Sequence, residues 1–208
     1  MANVERHEFF PTCLYRFKHD FEENELDNMI SHIDLNSLSE HNGQTIKRTG
    51  SQNQDDLQRI PTFSNLTRTI MDVSKHILNE QGYMGEIEIT NMWGNILRPQ
   101  SQRAHAPHTH SNNFLSGVFY LKTSSDTSPI QFFDPRPQSN VLKPRKKEFN
   151  LLNSDMAQFN SETGYGVVFP SWLQHWVPET KDERISIAWN AIVRGKYGEP
   201  NTLQNATI

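Results

Sequence analysis

Nine histidines are spread through the 208 residues, and His105, His108 and His110 fall together in one short segment rich in turn formers. If His108 to His110 is extended, the two-residue period of a strand sends both imidazoles to the same face, close enough to share one cation. The residue types alone fit a metal grip and a chance cluster equally. His105 lies earlier, across Pro107, and is expected to support the ligands from behind or to face solvent. A second element is Gly166 to Pro178, which reads as a strand, a proline turn and then His175 between tryptophans. A lone histidine in apolar company is ordinarily a satisfied core residue. From Arg184 to Asn190 the chain alternates strictly, with Arg184, Ser186 and Asn190 on one face and Ile185, Ile187 and Trp189 on the other. That polar face either meets water or turns inward, where a guanidinium fork and a hydroxyl would grip a carboxylate. The single cysteine, Cys13, excludes an internal disulfide and a thiolate-rich zinc site, so a metal must use histidine and carboxylate.

The elements that would carry these residues follow from periodicity. Glu22 to Ile33 places Leu26, Met29, Ile30 and Ile33 at helical spacing, with acidic residues in the first turn, where the helix dipole favours them. Ser37 to Arg59 is polar and reads as a long surface loop or a lid. After Pro61, Phe63, Leu66, Ile70, Val73 and Ile77 recur at helical steps and the pattern stops before Gly82. Beyond Gly85, β-branched and aromatic runs are separated by Pro, Gly, Asn and Ser at intervals too short for crossover helices, which implies antiparallel β structure. The expected strands are Glu86–Leu97, His108–His110, Leu115–Lys122, Ile130–Phe133, Glu148–Leu152, Gly166–Phe169, His175–Val177 and Arg184–Val193. Eight strands of this kind suit a jelly roll. The expected organisation is one mainly β domain over residues 1–208: a helical N-terminal part (1–85) supporting a jelly-roll core (86–195), with a tail (196–208) in which Gly198 to Ile208 looks frayed.

Composition narrows the partners. Lys+Arg 20 against Asp+Glu 24 gives a net charge of -4, so no cationic field favours nucleic acid. The basic run Lys143, Arg145, Lys146 and Lys147 has no interleaved aromatics to stack bases and reads as solvated surface. Phe114 to Leu121, the longest mostly apolar run, is far short of the roughly 20 residues that span a bilayer. Charged residues within Met1 to Phe10 interrupt any signal-peptide pattern, so a cytoplasmic location is expected. An exposed sheet edge would allow a homodimer.

Taken in order, these segments resemble the iron(II)- and 2-oxoglutarate-dependent dioxygenases, and more narrowly the family of such oxygenases found in bacteria and their phages. The resemblance rests on His108-Thr109-His110 leading into Leu115 to Tyr120, then Phe133-Asp134-Pro135-Arg136, Phe169 to Leu173 before His175, and Arg184-Ile185-Ser186. It spans roughly Trp93 to Asn190. It implies a double-stranded β-helix, His108 and His175 as iron ligands, and Arg184 with Ser186 holding the distal carboxylate of 2-oxoglutarate. The wider superfamily carries Asp or Glu where this chain has His110. His110 is favoured as the third ligand because a strand already delivers it, with Asp134 in reserve. An all-histidine site suits iron(II) but leaves it one unit more positive.

The resemblance further implies oxidative decarboxylation of 2-oxoglutarate to succinate and carbon dioxide, with dioxygen as oxidant and hydroxylation of a small molecule or side chain of unknown identity. Phe169, Trp172 and Trp176 are candidates for the dry wall of the site, or plain core. Ligating imidazoles must be neutral, so metal affinity is expected to fall below about pH 6.5. Two other readings stand beside this one: a cupin-like three-histidine iron oxygenase that uses no 2-oxoglutarate, and a non-catalytic jelly-roll binding module.

Overall fold

The computed structural model describes residues 4–35, 38–41, 44–47, 56–99, 104–136, 138 and 141–208, the side chains of 34–35, 38–41 and 44–47 excepted. In chain order the elements are β1 (Tyr15–Lys18), α1 (Glu25–Leu35), β2 (Leu38–His41), β3 (Gln44–Lys47), α2 (Ser64–Glu80), β4 (Glu86–Leu97), β5 (His105–His108), β6 (Leu115–Lys122), β7 (Ile130–Phe133), β8 (Met156–Phe159), β9 (Tyr165–Pro170), β10 (His175–Val177), β11 (Arg184–Arg194), β12 (Lys196–Tyr197) and β13 (Ala206–Thr207). Two antiparallel sheets form the jelly roll: a major sheet ordered β1-β9-β6-β11-β4 and a minor sheet ordered β5-β10-β7-β8. The mainly β architecture read from the sequence is the observed one.

The major sheet has two unlike faces, and strict alternation along β11 decides which residues go where. Ile185, Ile187, Trp189, Ala191 and Val193 join Met29 and Ile33 of α1 and Leu66, Ile70 and Ile77 of α2 in one apolar cluster. Here the N-terminal helices cover the sheet. Gly94 lets α1 approach, since a Cβ there would meet Ile33 Cγ2 at 2.9 Å. Gly117 leaves room for the Trp189 indole, which a Cβ would meet at 2.1 Å. His19 ties the layer together, with Nδ1 2.9 Å from Thr69 Oγ1 of α2 and Nε2 3.3 Å from Glu25 Oε1 of α1.

The opposite face of the major sheet meets the minor sheet. Leu97, Val118, Tyr120, Val167 and Phe169 pack there against Ile130, Phe132 and Val177, forming a second, smaller cluster. Arg184 and Ser186 share this interior, at 1% and 0% exposure. The inward alternative for the polar face of β11 is therefore the one adopted.

Five local expectations are corrected. Glu148–Leu152 forms no strand: the Asn150 amide N–H donates to Asn153 Oδ1 at 3.0 Å, and Leu152 N–H to Asn150 Oδ1 at 2.8 Å, so asparagine turn chemistry overrides β-propensity. β8 (Met156–Phe159) takes the place beside β7 instead. The strand expected at His108–His110 is displaced to His105–His108, because the His110 N–H donates to Ser171 O at 2.9 Å rather than to a strand partner. Within the polar stretch Ser37 to Arg59, β2 and β3 pair as a hairpin and Leu57–Arg59 makes one 3-10 turn, while residues 42–43 and 48–55 lie outside the described residues. The tail is ordered at its end, where β13 pairs with β12 and Ile208 N–H donates to Gly195 O at 3.1 Å. Tyr15–Lys18 adds an edge strand, β1, that the sequence did not signal.

No helix among the described residues is long and apolar enough to cross a membrane. The basic run lies on the surface, with Lys143 Nζ 3.2 Å from Asp155 Oδ2.

Candidate active site

Three imidazoles meet where the minor sheet closes on the major one. One ligand nitrogen from each of His108, His110 and His175 lies within 4.8 Å of the others. Their origins differ. His175 opens β10 and stands opposite His108 across the strand pair, so the two rings face each other at 4.4 Å between centroids. His110 lies beyond the end of β5, and its backbone is pinned to Ser171 O. The Ser171 hydroxyl is 2.8 Å from Ser116 Oγ, which in turn donates to Asn190 Oδ1 at 2.7 Å. A buried polar chain thus supplies the positioning that the sequence argument assigned to a regular strand.

The imidazoles present lone pairs to a common point. His175 Nδ1–H donates to Leu173 O at 2.8 Å and His108 Nδ1–H to Ala106 O at 2.7 Å, which leaves Nε2 of each unprotonated in the neutral ring. His110 Nε2 and His175 Nε2 are 3.2 Å apart. With metal–nitrogen bonds of about 2.1 Å, two adjacent ligands of one ion sit about 3 Å apart. The donor set therefore fits a divalent transition metal.

Burial holds the His175 imidazole well below its usual range, down to about 4, against the opposing Leu173 carbonyl and with help from the neighbouring imidazoles. Burial, then His108, does the same to His110, also to about 4. Both stay neutral in the folded chain where an ordinary histidine at 6.5 would charge. Between pH 6.5 and about 4 the unfolded chain binds more protons than the folded one, so stability falls as pH drops through that window. We expect the thermal midpoint of the metal-free protein to decline steadily on acidification from about pH 7 to about pH 4, and a flat profile in a pH series would contradict these environments. A metal held by His110 and His175 would meet less competition from protons below pH 6.5 than at free imidazoles.

Arg184 is the other unusual group. Its guanidinium is enclosed, donates from Nη1 to Ser186 Oγ at 2.9 Å and lies 4.9 Å from the centre of the Tyr120 ring. Among the described residues no carboxylate comes within ion-pair distance of it. A buried charge without a counter-charge costs several kcal/mol, which points to an anion supplied by a ligand. Two further buried polar atoms lack partners among the described residues, the Tyr120 hydroxyl and His105 Nε2. A dicarboxylate with one end on Arg184 fits this set.

The sequence reading named His108, His110, His175, Arg184 and Ser186 but missed Tyr120, hidden in the apolar run of β6. Its signal was register: Tyr120 stands opposite Ser186 on β11, so its hydroxyl enters the same interior. Asn95, buried at 4% and opposite Ser186 on the other side, was missed too. Asp134 is not in the cluster. Its carboxylate takes Arg136 Nε at 3.0 Å and Nη2 at 2.8 Å. Phe169 contacts the His175 ring edge-on at 4.6 Å and is buried, whereas Trp172 is 58% exposed and builds no wall. Trp176 is half-buried.

Residues 91–190 match the family model described as "Putative 2OG-Fe(II) oxygenase". Among solved structures, the chain is similar to a prolyl-4-hydroxylase from Pseudomonas putida (TM-score 0.54, 14% identity, covering 91% of this chain and 88% of that one). It is also similar to an oxidoreductase of the 2OG-Fe(II) oxygenase family from Burkholderia pseudomallei (TM-score 0.54, 15% identity, 86% and 84% covered). A third likeness is to SnoN, a non-heme alpha ketoglutarate dependent epimerase from nogalamycin biosynthesis (TM-score 0.60, 9% identity, 92% and 83% covered). At these identities the structural likeness is one of fold. No curated protein matches the sequence.

Proposed function

We propose that this chain, whose residues 91–190 match the 2OG-Fe(II) oxygenase family model, hydroxylates a small molecule or an accessible side chain. In this reading His108, His110 and His175 hold iron(II), and Arg184 with Ser186 seats the distal carboxylate of 2-oxoglutarate. The carrying observation is Arg184, a guanidinium 1% exposed with no acidic partner among the described residues, in the same interior as three converging imidazoles. When bound, iron(II) and 2-oxoglutarate supply the oxidative chemistry, consuming dioxygen and releasing succinate and carbon dioxide.

The chain's own residues bind, orient and keep water out. The Leu173 and Ala106 carbonyls fix the tautomers of His175 and His108, so neither ring would turn away from a bound ion. Phe169 and Phe132 pack on the His175 imidazole and dry its inner side. Arg184 presents a planar fork to a carboxylate, with the Ser186 hydroxyl beside it. The Tyr120 hydroxyl is a further donor in reach of the same pocket.

Three neutral ligands also suit a cupin-like oxygenase that needs no 2-oxoglutarate. Arg184 favours the first reading, because that enzyme would leave the guanidinium buried and unpaired. The test is uncoupled turnover: with iron(II), ascorbate and dioxygen, the protein should form succinate from 2-oxoglutarate. Absence of succinate in iron-loaded protein would overturn this reading.

A further inference from the structure

We propose that His105 is a cosubstrate-binding residue whose Nε2–H donates to the carboxylate seated on Arg184, favouring a 2-oxo acid that carries a second carboxylate. The inference rests on the reading that 2-oxoglutarate binds here.

The pairing of β5 with β10 slips in register. Between the pairs His175 with His108 and Val177 with His105, β10 advances two residues while β5 advances three. That extra residue on β5 is a bulge, and it includes the peptide of Pro107, which has no N–H to give to a ladder. In a regular strand, residues three apart face opposite ways; across the bulge they face the same way. His108 thereby turns toward the metal cluster, and His105 stands opposite Val177, whose side chain belongs to the inner cluster.

His105 Nε2 is enclosed and has no hydrogen-bond partner among the described residues. Leaving such a nitrogen unsatisfied is unfavourable, so a ligand atom is the natural partner. The ligand nitrogens of the other three imidazoles already converge without it. Burial, then the Arg184 charge and His108, keeps the imidazole neutral, its pKa held down at about 4. A neutral ring adds no second positive charge beside the guanidinium and offers one N–H, which a carboxylate oxygen draws to Nε2. With the Tyr120 hydroxyl, also buried and without a partner among the described residues, on a ring 4.9 Å from the guanidinium, the interior presents two neutral donors and one cation. That is the complement of a single carboxylate.

The test compares wild type with His105→Phe, which keeps an aromatic ring and removes the donor, and His105→Gln, which restores an N–H. Binding is read by anaerobic calorimetry on manganese(II)-loaded protein, with 2-oxoglutarate and with 2-oxopentanoate, which chelates a metal alike but has no distal carboxylate. H105F should bind 2-oxoglutarate about tenfold or more weakly and 2-oxopentanoate as wild type does, with H105Q recovering most of the loss. Manganese stoichiometry should be unchanged in all three proteins. If the phenylalanine variant does not fold, H105L against H105Q reads the same contrast. Equal affinity of wild type and H105F for 2-oxoglutarate, or equal weakening toward both acids, would overturn the inference while leaving the function standing. Failure of wild type to bind 2-oxoglutarate at all would instead bring down both.

Discussion

His175→Ala is expected to empty the metal site, lowering iron affinity by well over about a hundredfold and abolishing succinate formation. Of the three imidazoles, His175 is the buried one, at 4% exposure, while His108 is exposed. It is also the most constrained, fixed by the Leu173 carbonyl and by Phe169 and Phe132 against its faces and edge. Without it, the remaining candidate ligands come from one short segment, with none from the strand that opposes it. Atomic absorption of protein repurified after iron loading measures the loss directly. His110→Ala should also lower bound iron, because no acidic side chain among the described residues joins the cluster. Asp134→Asn should leave iron unchanged, since that carboxylate is engaged by Arg136. The opposite pattern, with iron retained in H110A and lost in D134N, would move the third ligand to the carboxylate.

The second large effect belongs to Arg184→Met. Removing one partner of a buried charged pair costs about 2–5 kcal/mol, roughly thirty- to several-thousandfold in affinity. Affinity for 2-oxoglutarate should fall by that factor while iron still binds. Metal-free stability should hold or rise, because the variant removes a buried charge that has no acidic partner among the described residues. A structural arginine would behave otherwise, lowering the thermal midpoint and leaving cosubstrate affinity alone. Arg184→Lys should not rescue binding, since a single ammonium cannot reproduce the fork that meets both a carboxylate and the Ser186 hydroxyl.

These contrasts also show where the sequence was legible. The alternation Arg184, Ser186, Asn190 against Ile185, Ile187, Trp189 gave both faces of β11, because a strand buried on two sides by unlike layers must alternate. Likewise Leu66, Ile70 and Ile77 declared the covering face of α2. What stayed hidden depended on partners remote in sequence. The bulge on β5 exists only relative to β10, so His105 looked peripheral when it faces inward. Tyr120 looked like core because its ring is core; only the position of Ser186 across the ladder reveals what its hydroxyl meets. Glu148 to Leu152 carried a strand-like pattern, but Asn150 and Asn153 close a turn there that a propensity argument weighs too lightly. His110 reached the expected place by an unexpected route, through the chain Ser171, Ser116 and Asn190 rather than through strand geometry.

In the proposed function a three-histidine metal site and an arginine-held carboxylate seat act on one small molecule. Visible absorption under nitrogen tests it most directly, with iron(II)-loaded protein titrated with 2-oxoglutarate. A weak charge-transfer band is expected that saturates with cosubstrate, is missing from H175A, and appears in R184M only at much higher concentration. Wild-type protein that retains its iron yet gives no band at saturating 2-oxoglutarate would contradict it.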